Sequence, residues 1–187
     1  MVIGKSFAAT ARFVRLRTNP TMAANDPPMT TGHDLAMALR AAYLALHRRA
    51  DAAFAPHGVT ADQFVLLATL ARGGNALTQR ELGRRMSSDP STVRAMLVLL
   101  AARGLVGRDK HPTDARARTV ALTAKGLRAY RRLWKAGEST RARMLGALRP
   151  GEAETLVRLL GQVAEALDPG RVPVTGPIPS SPRKDEP

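Results

Sequence analysis

Ser91, Thr92, Arg94 and Ala95 follow directly on Asp89-Pro90. On the first turns of a helix they would present two hydroxyls, a guanidinium and a methyl group outward. Those groups read base edges. An arginine gives two parallel N–H donors to guanine O6 and N7, worth about 1–3 kcal/mol of discrimination, and a small methyl meets the thymine methyl. Further on runs Lys110-His111-Pro112-Thr113-Asp114-Ala115-Arg116-Ala117-Arg118, a basic, turn-forming stretch between two short strand-like segments. Arg116, near its tip, suits the negative potential of a minor groove, and Asp114 stands where it can pin that side chain or the loop. Arg80, Arg84, Arg85, Lys110 and Arg118 are cations of the kind that contact phosphates and set position without reading sequence. Each has a plainer reading: an amphipathic helix pair, a solvated hairpin tip, a surface charge.

Such chemistry needs rigid elements beneath it, and the sequence predicts them. A helix is expected over about 34–54, with Leu35, Leu39, Ala42 and Leu46 on one stripe, broken at Pro56-His57-Gly58. Thr60 with Gln63, and Thr78 with Glu81, have the spacing of capping boxes, so helices start at both. The first carries Phe64, Leu67 and Ala71 inward and stops at Arg72-Gly73-Gly74-Asn75; the second carries Leu82 and Met86. Asp89 as N-cap with Pro90 at the first helical position starts the next helix, which buries Val93, Met96, Leu97 and Leu100. Gly104 can close it in the left-handed conformation, with Leu105 packing behind. Two short strands, 106–109 and 118–122, flank the basic loop. Thr123 caps a helix running towards Ala142 with Leu127, Tyr130, Leu133 and Trp134, and a last helix over about 152–167 carries Leu156, Leu159, Leu160, Val163 and Leu167. The expected fold is mainly α: a winged helix-turn-helix with a two-stranded β-wing and helical dimerisation regions at both ends. Its DNA-binding lobe covers about 60–124, and its dimerisation helices cover about 34–54 and 125–167. The apolar stripes of those outer helices exceed what a small winged module can bury, so a second copy is their natural cover. A flexible arm is expected over 1–30, and a disordered proline-rich tail over 169–187.

Bulk composition points the same way. The chain has 187 residues, with 29 Lys and Arg against 15 Asp and Glu, a net charge of +14 and a pI near 11.5. Fifteen of those cations but only four acids fall between residues 70 and 135. That concentration suits a polyanionic partner. The absence of cysteine removes disulfides, thiolate metal sites and thiol redox sensing, and it fits a cytoplasmic protein. No apolar run approaches the ~20 residues of a membrane span.

The run from Leu77 to Gly126 resembles the winged helix-turn-helix of the MarR family of bacterial transcription regulators. The carrying residues are Ser91-Thr92-Val93, Arg103-Gly104-Leu105-Val106, Asp114 and Arg116 in the wing, and Val120, Leu122-Thr123 and Lys125-Gly126 after it. The likeness extends over about 34–167. It implies a homodimer joined through the first and last helices, and a pseudo-palindromic DNA site read by two helices about 34 Å apart. It also implies control by a small ligand, often an aromatic acid or phenol. The chain departs from the family pattern at Val98 and Leu99, where an acidic-basic pair is usual, and at Ala115, where a second arginine is frequent. Either a phosphate contact is missing, or this helix buries more of its circumference.

Nothing convergent for catalysis is present: no paired histidines at ligand spacing, no glycine-rich phosphate loop, no nucleophile elbow. His33, His47, His57 and His111 are scattered, and His33 with Asp34 lacks a third metal ligand. No enzyme activity, cofactor or metal is expected. Tyr43, His47, Phe54, Phe64 and Trp134 are candidates to line an effector pocket, or else to pack as core. The expected function is a ligand-responsive repressor binding double-stranded DNA as a homodimer. The alternative is a non-specific architectural nucleic-acid binder without a ligand.

Overall fold

The structure is a computed structural model that describes residues 31–73, 76–110 and 118–169. The expectations for the arm over 1–30 and, apart from Pro169, for the tail lie outside these residues. The chain divides into two compact units, residues 1–41 and 42–187. In the first, the described part is the start of helix α1 (Gly32–Phe54), where Asp34 accepts hydrogen bonds from the Thr31 amide and hydroxyl. The second holds the rest of α1 and all that follows: α2 (Ala61–Arg72), β1 (Leu77–Thr78), α3 (Gln79–Met86), α4 (Pro90–Ala102), β2 (Val106–Lys110), β3 (Arg118–Leu122), α5 (Ala124–Ala136), α6 (Glu138–Leu145) and α7 (Glu152–Leu167).

Local chemistry starts these helices as expected. Thr60 and Gln63 exchange capping-box bonds at the start of α2, and Thr78 and Glu81 do so at the start of α3. Asp89 Oδ1 accepts from the Ser91 amide at 2.7 Å, and Pro90 opens α4. Gly104 takes φ 67° after α4, and Leu105 is buried behind it. Thr123 Oγ1 accepts from the Gly126 amide at the start of α5. The core gathers Leu66, Leu67, Leu70, Leu82, Val93, Leu97 and Leu100, all fully buried, with Leu105, Val120 and Leu133. It locks α2, α3, α4, the sheet and α5 into one body.

Two expectations need correction. The sheet has three antiparallel strands in the order β1-β3-β2. The added strand, Leu77–Thr78, pairs with Val120 and Thr119. Two residues carry no periodicity, and this strand exists because β3 offers a free edge. The helix expected to run on towards Ala142 is divided at Gly137 into α5 and α6. Gly137 is buried, and a Cβ there would lie 3.0 Å from Arg141 Nη1 and 3.4 Å from the Phe54 ring.

The Thr78 cap has a measurable signature. Hydrogen bonds from the Thr78 hydroxyl and then its amide hold the Glu81 carboxyl below its ordinary value of 4.5. A carboxylate lowered on folding stabilises the native state above its unfolded pKa, and that contribution fades as pH falls through the folded value. Thr78→Ala is expected to cost about 1 kcal/mol at neutral pH, roughly 2–4 °C in Tm. The deficit should shrink in acid, below the ordinary carboxylate value, because protonation of Glu81 weakens the bond that the Thr78 hydroxyl donates to it, while the Glu81 amide still donates to that hydroxyl. Thermal unfolding at neutral and at acid pH checks this; an equal deficit at both removes the link to Glu81.

Candidate nucleic-acid interface and effector pocket

α3 and α4 form the helix-turn-helix. Their turn closes on Ser87, whose φ of 49° lies in the left-handed region, and the Ser88 amide donates to Gly83 O at 3.0 Å. Gln79 Nε2 donates to Pro90 O at 3.2 Å, tying the start of one helix to the start of the other. With Val93, Met96, Leu97 and Leu100 buried, the opposite face of α4 is set outward. Ser91, Thr92, Arg94 and Ala95 are all exposed. The Ser91 hydroxyl donates to Asp89 Oδ1 at 2.5 Å. Its proton is therefore committed, and its lone pairs remain to accept. Those bonds, the hydroxyl first and the amide second, hold the Asp89 carboxyl below its usual range.

The other cations differ among themselves. Arg80 and Arg84 are exposed on α3, whereas Arg85 is half-buried with its guanidinium against Gly73. Arg118 is exposed on β3, in register with Lys110 on β2. The Lys110 side chain, Asp114 and Arg116 lie outside the described residues. Arg108, absent from the sequence candidates, is exposed on β2 opposite Val120. Arg103 and Lys125 hold the scaffold. The Arg103 guanidinium donates to His57 O at 2.8 Å and to Gly58 O, and Lys125 Nζ donates to Arg103 O at 2.8 Å.

A second site lies within the unit of residues 42–187. Tyr43, His47, Phe54, Phe64 and Trp134, the five residues singled out from sequence, line one cavity of about 690 Å³, including the part open to solvent. The Phe54 and Phe64 ring centroids are 4.6 Å apart, and those of Phe64 and Trp134 are 6.5 Å apart. His47 stands between two carboxylates: Nδ1 is 3.1 Å from Asp51 Oδ2, and Nε2 is 3.5 Å from Asp62 Oδ1. Asp51 Oδ1 also accepts from the Ala61 amide at 2.7 Å, joining the end of α1 to the start of α2. Sequence reasoning missed Arg141. Its Cζ lies 3.9 Å over the centre of the Trp134 ring, and Nη2 donates to Trp134 O at 2.6 Å. Burial lowers its pKa from the ordinary arginine value, yet a guanidinium stays charged at physiological pH. Its spacing of seven residues from Trp134, two helical turns, was the signal available. The cavity thus has apolar, aromatic walls with a fixed cation at one side, the usual make-up of a small-molecule site.

The sequence model of the MarR family matches residues 57–117. Among solved structures, the chain is similar to a mutant MarR from E. coli complexed with operator DNA, at 27% identity over 69% of this chain and 92% of that one, with a TM-score of 0.63. It is similar to BpsR of Bordetella bronchiseptica, whose DNA binding is described as regulated by 6-hydroxynicotinic acid. The identity there is 28% over 70% and 98% of the two chains, with a TM-score of 0.62. CouR of Rhodococcus jostii, bound to p-coumaroyl-CoA, shares the fold at 19% identity over 78% and 99% of the chains, with a TM-score of 0.66. No curated protein matches. Among the described residues, no helix is long and apolar enough to cross a membrane, and no cluster of side chains could hold a metal ion.

Proposed function

Because this chain belongs to the MarR family of winged helix-turn-helix, DNA-binding transcription regulators, we propose that it is a ligand-responsive repressor. It acts in the cytoplasm and binds a pseudo-palindromic operator as a homodimer. The observation that carries the reading is the outward face of α4, where Ser91, Thr92, Arg94 and Ala95 are exposed while the opposite face is sealed into the core. Arg94 reads guanine, Ser91 accepts from base donors, Thr92 donates or accepts at base edges or donates to phosphates, and Ala95 meets a thymine methyl. Arg80, Arg84, Arg85, Lys110 and Arg118 contact phosphates, while Arg116, braced by Asp114, enters the minor groove.

Dimerisation accounts for otherwise unexplained apolar surface. No residue of α7 is buried, and Leu156, Val157, Leu159 and Leu160 stand exposed on it. Leu35 and Met37 of α1 are exposed as well. Two copies place two reading helices about one DNA turn apart. Affinity should then fall steeply with salt, by a factor of about a thousand or more between 50 and 200 mM for six or more phosphate contacts. A mobility-shift series with DNA from beside the gene measures this. A flat response with sequence-specific binding intact would remove the Arg-rich face from the reading.

The effector is a small aromatic acid or phenol in the cavity walled by Tyr43, His47, Phe54, Phe64 and Trp134, with Arg141 facing its charge. It releases DNA only by preferring one arrangement of the dimer over another. This cavity favours a regulator over a ligand-free architectural binder. Trp134 is the sole tryptophan in the chain, so its fluorescence reports occupancy. Titration with 6-hydroxynicotinate and salicylate should give a saturable change, and Arg141→Gln should weaken it at least about tenfold, the loss of a charge-assisted bond. A response to neither ligand, or one indifferent to Arg141→Gln, counts against the assignment.

A further inference from the structure

α4 carries an apolar feature that helix packing does not use. Val98 and Leu99, in the third turn, are 55% and 56% exposed. At 100° per residue, Val98 falls opposite the buried Val93, Met96, Leu97 and Leu100. It is seven residues beyond Ser91, four beyond Arg94 and three beyond Ala95, so it continues their stripe. We propose that Val98 is a base-reading residue whose isopropyl group packs on the C5-methyl of a thymine in the major groove. This rests on the DNA-binding reading above and extends it from polar to apolar recognition.

The surroundings select this occupant. No acid lies on α4, Arg94 shares the stripe, and Arg80 and Arg84 are exposed on the neighbouring α3. A face so charged fits a polyanion better than the apolar surface of another protein. Within the major groove the thymine methyl is the one apolar group on offer. An isopropyl group pressed against any other base edge strips water from donors and acceptors that it cannot satisfy. Val98 therefore discriminates in two ways, by contact with thymine and by desolvation of its rivals. Leu99 lies on the flank of the same stripe, seven residues beyond Thr92.

The test uses the full chain and DNA selected by it from a random-sequence pool. Each thymine of the selected site is replaced in turn by deoxyuridine, which lacks only the methyl group. For the wild type, one replacement per half-site should weaken binding about fourfold (about 0.8 kcal/mol, one buried methyl). Val98→Ala should bind the thymine and deoxyuridine forms of that position alike. Arg94→Ala, weaker throughout, should keep the thymine preference there. Val98 is exposed, so its truncation spares the fold, and circular dichroism checks this. Selection of a defined sequence with the thymine preference unchanged in Val98→Ala overturns the proposal alone. So does a change in oligomeric state with Val98→Ala, which would make this face a protein interface. Failure to enrich any sequence brings down the base-reading function together with the proposal.

Discussion

Gly126→Ala is expected to cost at least about 3 kcal/mol of stability, above the usual range for an added methylene. A Cβ at Gly126 would lie 1.9 Å from Leu105 O and 2.9 Å from Leu105 C. Both are backbone atoms, so no rotamer change relieves the clash. The junction is also tied from several sides. Thr123 Oγ1 donates to Gly104 O at 2.7 Å, the Thr123 amide donates to Leu105 O at 3.1 Å, and Lys125 reaches Arg103 O. To make room, α5 must lift from the turn that ends α4, which loosens the seat of the reading helix. The loss corresponds to a fall in Tm of roughly 6–12 °C. Gly161→Ala is the control. It lies within α7 with nothing within 4 Å of an added Cβ, so it should leave stability unchanged or raise it by up to about 1 kcal/mol. Thermal unfolding of both variants measures the contrast. A Gly126→Ala protein within about 1 kcal/mol of wild type would mean that the α4–α5 contact is not as close as described.

Arg94→Ala is expected to remove roughly 1–3 kcal/mol of discrimination per half-site. That is about fivefold to over a hundredfold in relative affinity, and the effect compounds across two half-sites. Arg94 is exposed and makes no hydrogen bond or ion pair among the described residues, so its removal should leave the fold intact. The informative quantity is the ratio of affinities for the selected site and for scrambled DNA, measured at one salt concentration. A regulator loses that ratio, whereas an architectural binder loses affinity evenly for both DNAs. Arg84→Ala provides the contrast expected of a phosphate contact: weaker binding to every sequence and a shallower salt dependence, by about one unit of slope. A ratio unmoved by Arg94→Ala would transfer base reading elsewhere on α4 or to the wing.

Much of this molecule was legible one short window at a time. Both capping boxes, the Asp89-Pro90 start, the left-handed Gly104 and the Thr123 cap depend on residues within four positions of each other. The inward stripe of α4, Val93, Met96, Leu97 and Leu100, follows from helical period alone, and the outward stripe with it. Burial resolved a choice that sequence left open at Val98 and Leu99: they stay exposed, so the described chain does not bury more of the circumference of α4. Other features had no local signal. Strand β1 depends on Leu77 meeting Val120, 43 positions along the chain. Arg85 looks like Arg84 in sequence, yet packing draws its guanidinium against Gly73. Five residues of the cavity were named from their type, but their convergence needed α1, α2 and α5 to be brought together. The break at Gly137 and the position of Arg141 over Trp134 arise from that same packing. The chain's residue order alone thus determined where most of its helices start, their inner and outer faces and the concentration of positive charge, because backbone hydrogen bonding and helical period act over a few residues. Tertiary structure decided the third strand, the half-burial of one arginine and the cationic, aromatic cavity, because those depend on close packing between segments far apart in the chain.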